Sequence, residues 1–359
     1  MLHFHCHHCH FTHNQSHYTE LMSEPIFPTI QQLCAESQLT EHWSEVLLPF
    51  WRQLQHEQFS GVAGVPIHYT YCHTPGANRV WVISSGRIET AIKYTELIYE
   101  LSQAGYSVFI LDHRGQGRSG RMLHDTQLGY VADFQDYQHD LVTFLRDVVK
   151  PAGYQQHILL AHSMGAAIGA ALLTQPRWQE WHQFFHAAVL CSPMFGIYTG
   201  VIPAWLAEPT ALLYCRVIRT LAPQQQRYFP SQLAYRDKPF LENELTGSAA
   251  RYQALRNCYQ TEPQLQLGGV TCQWLQQAIL AMRELQRHAR HCQTPILMLQ
   301  STEDKVVANK AQQRWFAQLA ADLPKQLVAL PGARHEILME QDFLRIAAFS
   351  AINQFLSRC

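Results

Sequence analysis

Ser163, Asp304 and His335 have the types and the spacing for acyl transfer through a serine. Ser163 stands in Ala161-His162-Ser163-Met164-Gly165, between the apolar run His157-Ile158-Leu159-Leu160 and the small-residue stretch 166–171. That pattern predicts a strand, a sharp turn and a helix, with the serine at the apex. There its hydroxyl stands above a sheet and the next N–H faces an incoming carbonyl. Alanine replaces the first glycine of the usual G-x-S-x-G and keeps the position small. A serine N-cap on a buried helix is the plainer alternative. A serine hydroxyl is a weak nucleophile and needs a base, itself oriented by an acid. Both partners are predicted in loops that leave strand ends: Asp304 in the segment 301–307 and His335 in the segment 331–336. Glu303 is the rival acid, although the later position better suits a side chain turning back to the serine. His113 and His124 are rival bases but precede the nucleophile, and His162 reads as a packing residue. The relay calls for no metal and no cofactor.

An oxyanion needs two N–H donors fixed in advance. The backbone of Met164 supplies one. The loop Ser85-Gly86-Arg87-Ile88-Glu89 supplies the other, with Gly86 permitting the bend and Arg87 offering its N–H. Gly86, Arg114, Trp205 and Trp274 are the candidates for contact with a substrate. Arg114 belongs to the run DHRGQGRSGR at 112–121, which lacks the G-K-[ST] end of a phosphate loop. It reads as a tight loop with Arg114 paired internally and a secondary part in shaping the mouth of the site.

The elements that must carry these residues alternate along the chain. Residues 28–58 read as an amphipathic helix that Pro49 would break or kink. Strands follow at 67–72 (an edge strand), 79–84, 107–112, 156–161, 187–191, 295–300 and 325–330, with helices at 91–104 and 133–150. Short apolar strands alternating with helices predict a parallel sheet covered on both faces. The alternation fails between 196 and 290, where the sequence reads as helices and loops at 203–221, 242–259 and 271–288. An all-helical insertion at that point is a lid over the carboxyl ends of the strands, where open α/β sheets bind ligands. Trp205, Leu206, Leu212, Leu213, Tyr214 and Trp274 should be mostly lid core, with a few lining an acyl pocket. The expected division is a tail at 1–25, a core at 26–195, the lid at 196–290 and the rest of the core at 291–359.

The 359 residues are 47% apolar and 15% charged, with a net charge of −1. That balance gives no electrostatic case for nucleic acid. Ten cysteines are scattered without a framework and predict reduced thiols and a cytoplasmic compartment. Residues 187–207 carry no charge, but their prolines and glycines argue against one spanning helix. Peripheral contact with the inner membrane stays open. Seven histidines and two cysteines fall within residues 1–20, in spacings that match no closed zinc motif.

Several motifs together resemble one known group of enzymes. They are Ser84-Ser85-Gly86-Arg87-Ile88-Glu89 with Lys93-Tyr94, DHRGQGRSGR at 112–121, AHSMG at 161–165, TEDKVV at 302–307 and GARHEILME at 332–340. In the lid, Asn243-Glu244-Leu245-Thr246, Arg251-Tyr252 and Leu267-Gly268-Gly269-Val270-Thr271 with Trp274 fit as well. The chain resembles the bacterial lysophospholipase L2 group, in the monoacylglycerol lipase-like branch of the α/β-hydrolases, over residues 60–355. The resemblance implies an α/β-hydrolase fold and release of the fatty acid from a lysophospholipid by Ser163, Asp304 and His335. Transfer of the acyl group to another alcohol would use the same intermediate. Ser84-Ser85-Gly86 stands where monoacylglycerol lipases carry His-Gly-x-Gly, which weakens the alternative of a monoacylglycerol lipase or general esterase. A non-catalytic binding module would need a broken triad, and none of the three positions is broken.

Overall fold

The computed structural model describes residues 27–222 and 225–359. The expected tail at 1–25, with its histidines, lies outside the described residues.

Eight strands form one sheet: β1 (Gln55–Ser60), β2 (Pro66–Cys72), β3 (Arg79–Ser84), β4 (Ser107–Leu111), β5 (Gln156–His162), β6 (Ala187–Cys191), β7 (Ile296–Ser301) and β8 (Lys325–Leu330). Their order is β1-β2-β4-β3-β5-β6-β7-β8, antiparallel over β1, β2 and β4 and parallel from β4 to β8. The helices are α1 (Leu39–His42), α2 (Leu48–Gln53), α3 (Thr95–Gln103), α4 (Gln135–Phe144), α5 (Ser163–Thr174), α6 (Ala204–Leu221), α7 (Ala249–Thr261), α8 (Cys272–His288), α9 (Asn309–Ala317) and α10 (Asp342–Leu356).

Side chains alternate across a strand, so a strand buried on both faces is apolar throughout. In β3, Val80 and Val82 join one core with Leu141, Phe144, Ile168 and Trp315. Trp81 and Ile83 join the opposite core with Leu97, Ile98, Ile352 and Phe355. The central α5 is buried along its whole length, which its run of alanine, glycine and leucine permits.

Two expectations near the N-terminus are corrected. The helix expected over 28–58 is confined to turns between Glu36 and Gln53, and Gln55–Ser60 pairs antiparallel with β2. The edge strand is therefore β1, and β2 lies inside the sheet. The β1 sequence QHEQFS is polar because most of it faces solvent, so no apolar alternation marked it. Pro49 does not end the helical run: it sits in the first turn of α2, directly after a π turn at Trp43–Leu47, where a missing N–H is tolerated.

Between β6 and β7 the chain leaves the sheet. There α8 packs on α5 and α6, while α7 packs on α1. The expectation that its aromatic and leucine side chains are mostly buried is corrected for α6. Trp205 is 76% exposed and Leu213 63%, and Val201, Ile202 and Leu206 are exposed beside them. Leu212 and Trp274 do turn inward.

Candidate active site

The sharp turn between β5 and α5 holds Ser163 at a φ of 51°, a left-handed conformation that costs a non-glycine residue about 1–3 kcal/mol. Close packing enforces it. A Cβ at Gly165 would fall on the carbonyl oxygens of Ser84 and Ser85, so only glycine lets α5 start against the end of β3. Ser84 pairs with Ala161 in the sheet, and its hydroxyl donates to the Gly165 carbonyl at 3.1 Å. The turn and the loop after β3 are thus locked together.

The loops after β7 and β8 bring two more side chains to the serine. The Ser163 hydroxyl donates to His335 Nε2 at 2.9 Å, and His335 Nδ1 donates to Asp304 Oδ2 at 2.7 Å. All three residues are buried. The other Asp304 oxygen accepts the N–H groups of Val306 and Val307, at 2.8 and 2.9 Å. Burial works to raise the Asp304 carboxyl. Hydrogen bonds from His335 and the two N–H groups outweigh it and hold the carboxyl below its ordinary value. Glu303 is exposed and takes no part, and His113 bonds Ser84 rather than Ser163.

Met164 lies in the first turn of α5, where a helix leaves its N–H groups unpaired. The Arg87 N–H finds no acceptor among the described residues. The loop that carries it is clamped by Gln116 of the glycine-rich run. The Gln116 amide donates to the carbonyls of Gly86 (2.7 Å) and Glu89 (2.9 Å) and accepts from the Ile88 N–H at 3.2 Å. Ile88 itself has a φ of 63°, a strained conformation for a β-branched residue. The run 112–121 is thus a scaffold for the mouth of the site.

The structure gives each of the four substrate-contact candidates a place, and Arg114 is paired internally as its loop suggested. The Gly86 N–H is taken by the Glu89 carboxylate, and a Cβ there would meet His162 and Glu89, so the glycine serves packing. Arg114 is spent on Asp140, at 2.6 and 2.8 Å, and on Asp136 at 3.3 Å. Trp205 faces solvent. Trp274 is buried on the seam between lid and core, with its indole N–H donating to Tyr137 at 3.1 Å.

Sequence reasoning missed an ionic cluster beneath these residues. His162 Nδ1 donates to Glu89 at 2.9 Å, and Lys93 bridges Glu89 and Glu336, each at 2.6 Å. The Tyr94 hydroxyl donates to Glu89 at 2.6 Å, and His162 Nε2 donates to the His335 carbonyl at 3.2 Å. This buried cluster ties the loop after β3 to the turn residue and to the base. Its one local signal was the i,i+4 spacing of Glu89 and Lys93. His162 is therefore an ionic link and not simple packing. Burial opposes its imidazolium, but the Glu89 carboxylate prevails and raises its pKa.

Comparison with known proteins decides the family. The serine aminopeptidase S33 profile matches residues 76–342. The chain belongs to this family. Within the serine aminopeptidase S33 family it is similar to lysophospholipase L2 of Escherichia coli, 37% identical over 87% of this chain and 90% of that one. It is also 30% identical to the probable lysophospholipase L2 of Haemophilus influenzae, over 87% and 95%. Among solved structures, the monoglyceride lipase of Saccharomyces cerevisiae superposes with a TM-score of 0.62 at 18% identity, covering 85% of this chain and 95% of that one. That last likeness concerns the fold, which is the α/β-hydrolase fold.

Proposed function

We propose that the chain hydrolyses the single fatty acyl ester of a lysophospholipid through an acyl-serine intermediate. The observation that carries this reading is the continuous relay from Ser163 through His335 to Asp304 at a turn built to expose the serine. Ser163 Oγ attacks the acyl carbonyl while His335 Nε2 takes its proton. Asp304 holds the ring with its proton on Nδ1 and stabilises the imidazolium that forms. The carbonyl oxygen becomes an oxyanion facing the Met164 and Arg87 N–H groups. The glycerophospho-alcohol leaves with the proton from Nε2. Water, or a second alcohol, then attacks the acyl-serine with the same base. The similarity to two lysophospholipases L2 supports this head group.

A neutral monoacylglycerol is the second reading, favoured by the 25% identity to the monoacylglycerol lipase of Mycolicibacterium smegmatis. Residues 196–290 act as the lid in either case. Among the described residues no helix is long and apolar enough to cross a membrane. The exposed apolar face of α6 gives the lid a surface for peripheral contact with the lipid phase that presents such substrates.

The deciding experiment is fatty acid release from lysophosphatidylethanolamine and from monoacylglycerol, with wild type beside Ser163→Ala. Release from the lysophospholipid that falls by roughly a million-fold in the variant is the expected result. Release from monoacylglycerol alone would replace the first reading by the second. Activity surviving in Ser163→Ala would remove the serine from the mechanism.

A further inference from the structure

A lysophospholipid head group carries negative charge, and two arginines of the run 112–121 are already neutralised. Arg114 is paired with Asp140 and Asp136, and Arg118 with both oxygens of Glu262 at 2.8 Å. Arg121 donates to the carbonyls of Ser119 and Gln264, each at 2.9 Å. Arg87, like Arg121, has no carboxylate partner among the described residues and an unpartnered Nε, but it alone of the four belongs to the loop after β3. Its guanidinium's one hydrogen bond runs from Nη2 to the Gly268 carbonyl at 2.6 Å. Nε is sealed from solvent and unpartnered. Nearby, the Tyr228 hydroxyl is also sealed and unpartnered. Both groups converge on Gly268, since a Cβ there would lie 2.7 Å from the Tyr228 oxygen.

The surroundings are shaped around this cation. The guanidinium lies over the Trp274 ring, 5.2 Å from its centroid. A Cβ at Gly129 would collide with Arg87 Nη2, so glycine is needed there. The two walls are joined by the Gly129 N–H donating to Gly269 at 3.0 Å and the Thr271 N–H donating to Gly129 at 2.9 Å. Burial pulls the guanidinium down to about 10, with only the Tyr137 and Tyr228 hydroxyls opposing it. A half-buried cation without a counter-ion is disfavoured, and an incoming anion would relieve that cost.

The Arg87 N–H is the oxyanion donor, so its guanidinium is tethered to the reacting centre. As many bonds separate an arginine's amide nitrogen from its guanidinium carbon as separate a 1-acyl carbonyl carbon from the phosphorus of a glycerophospholipid. With the carbonyl oxygen at the N–H, the phosphate falls within reach of the guanidinium, which suits phosphate oxygens through its forked donors.

We propose that the Arg87 guanidinium and the Tyr228 hydroxyl form the seat for the phosphate ester of the substrate head group, and so select a lysophospholipid over a neutral monoacyl ester. This rests on the lysophospholipase reading. The test compares kcat/KM for lysophosphatidylethanolamine with kcat/KM for a neutral ester of the same chain, either monoacylglycerol or a p-nitrophenyl ester. Wild type, Arg87→Met, Arg87→Lys and Tyr228→Phe are measured side by side. Loss of a charge-assisted bond should lower the ratio about 10- to 100-fold in Arg87→Met, mainly through KM, with partial recovery in Arg87→Lys. Tyr228→Phe should lower it severalfold and guards against misfolding of the arginine variants. Glycerophosphoethanolamine and inorganic phosphate are also tried as inhibitors of neutral-ester hydrolysis. Inhibition by the phosphodiester that Arg87→Met relieves supports the seat even if the lysophospholipid is not cleaved. Equal inhibition by inorganic phosphate would mean that phosphate alone suffices to fill it. Equal losses on charged and neutral esters, with no inhibition by either anion, would overturn the proposal and leave Arg87 as a structural prop.

Discussion

Both ring nitrogens of His162 face acceptors, Glu89 Oε1 and the His335 carbonyl, and only the imidazolium can donate to both. The charges of Glu89, Lys93, His162 and Glu336 then balance within one buried cluster. The pH dependence follows from the direction of the shift. The folded pKa of His162 lies above its ordinary 6.5, so its contribution to stability is complete below that value. It is lost as pH rises through the raised value. Glu89 is held well below the ordinary carboxylate range: burial opposes this, and His162 and Lys93 outweigh it. Its contribution is present above the ordinary carboxylate value and is lost only in strong acid, as pH falls through the depressed one. The urea midpoint of wild type should therefore decline as pH rises above 6.5, and His162→Asn should flatten that decline. An identical slope in the variant would mean that His162 is neutral in the folded protein. The meeting of Ser163, His335 and Asp304 was legible in the sequence because each sits in a loop after an apolar strand, in a fixed chain order. The cluster beneath them was not, because Glu89, His162 and Glu336 meet only once the sheet is assembled.

At the scale of elements, α6 separates what a pattern says from what it leaves open. Apolar residues at helical spacing mark a face but do not say what covers it. On α6 that face includes Leu206, Leu213 and Val217, 49%, 63% and 46% exposed. Exposed apolar side chains grouped on one helix mark a contact surface more often than chance exposure does. If α6 meets the lipid phase, Leu206→Glu with Leu213→Glu should cut hydrolysis of lysophospholipid in vesicles roughly tenfold, since burying a leucine is worth about 1.5–3 kcal/mol. A short-chain monomeric ester, which needs no such contact, should be cleaved at the wild-type rate. Equal losses on the two substrates would instead place these leucines in the packing of the lid. β1 is the converse case. Its polar sequence looked like a continuation of the preceding helix, because an edge strand with most of its side chains in solvent carries no apolar alternation. Sequence pattern located the buried strands correctly for the opposite reason, since β3 to β7 are apolar on both faces.

Across the whole molecule, the lid is pinned at α7 and left open at α6. Arg251 of α7 donates to both oxygens of Glu96 in α3 at 2.9 Å, to Asp342 of α10 at 3.0 Å and to the Glu340 carbonyl at 2.8 Å. Arg345 of α10 closes the same network, 2.7 Å from Glu100 and 3.5 Å from Glu96. The Arg334 side chain, next to His335, donates to the Asn243 and Thr246 carbonyls, each at 3.0 Å. That the chain runs through helices between β6 and β7 was legible where the strand–helix alternation stops. The anchoring was not, because its partners lie far apart along the chain. Removing one member of a buried ion pair costs about 3–5 kcal/mol, mostly by stranding the other charge. Arg251→Met should fall at the lower end, about 3 kcal/mol, because Arg345 remains near Glu96. Adding Glu96→Gln should recover part of that loss, and the urea midpoints of the two singles and the double give the coupling. Hydrogen exchange places the loss: the α7 amides should lose protection in Arg251→Met while those of α5 keep theirs. Loss spread evenly over both helices would mean that the network holds the whole fold together rather than the lid to the core.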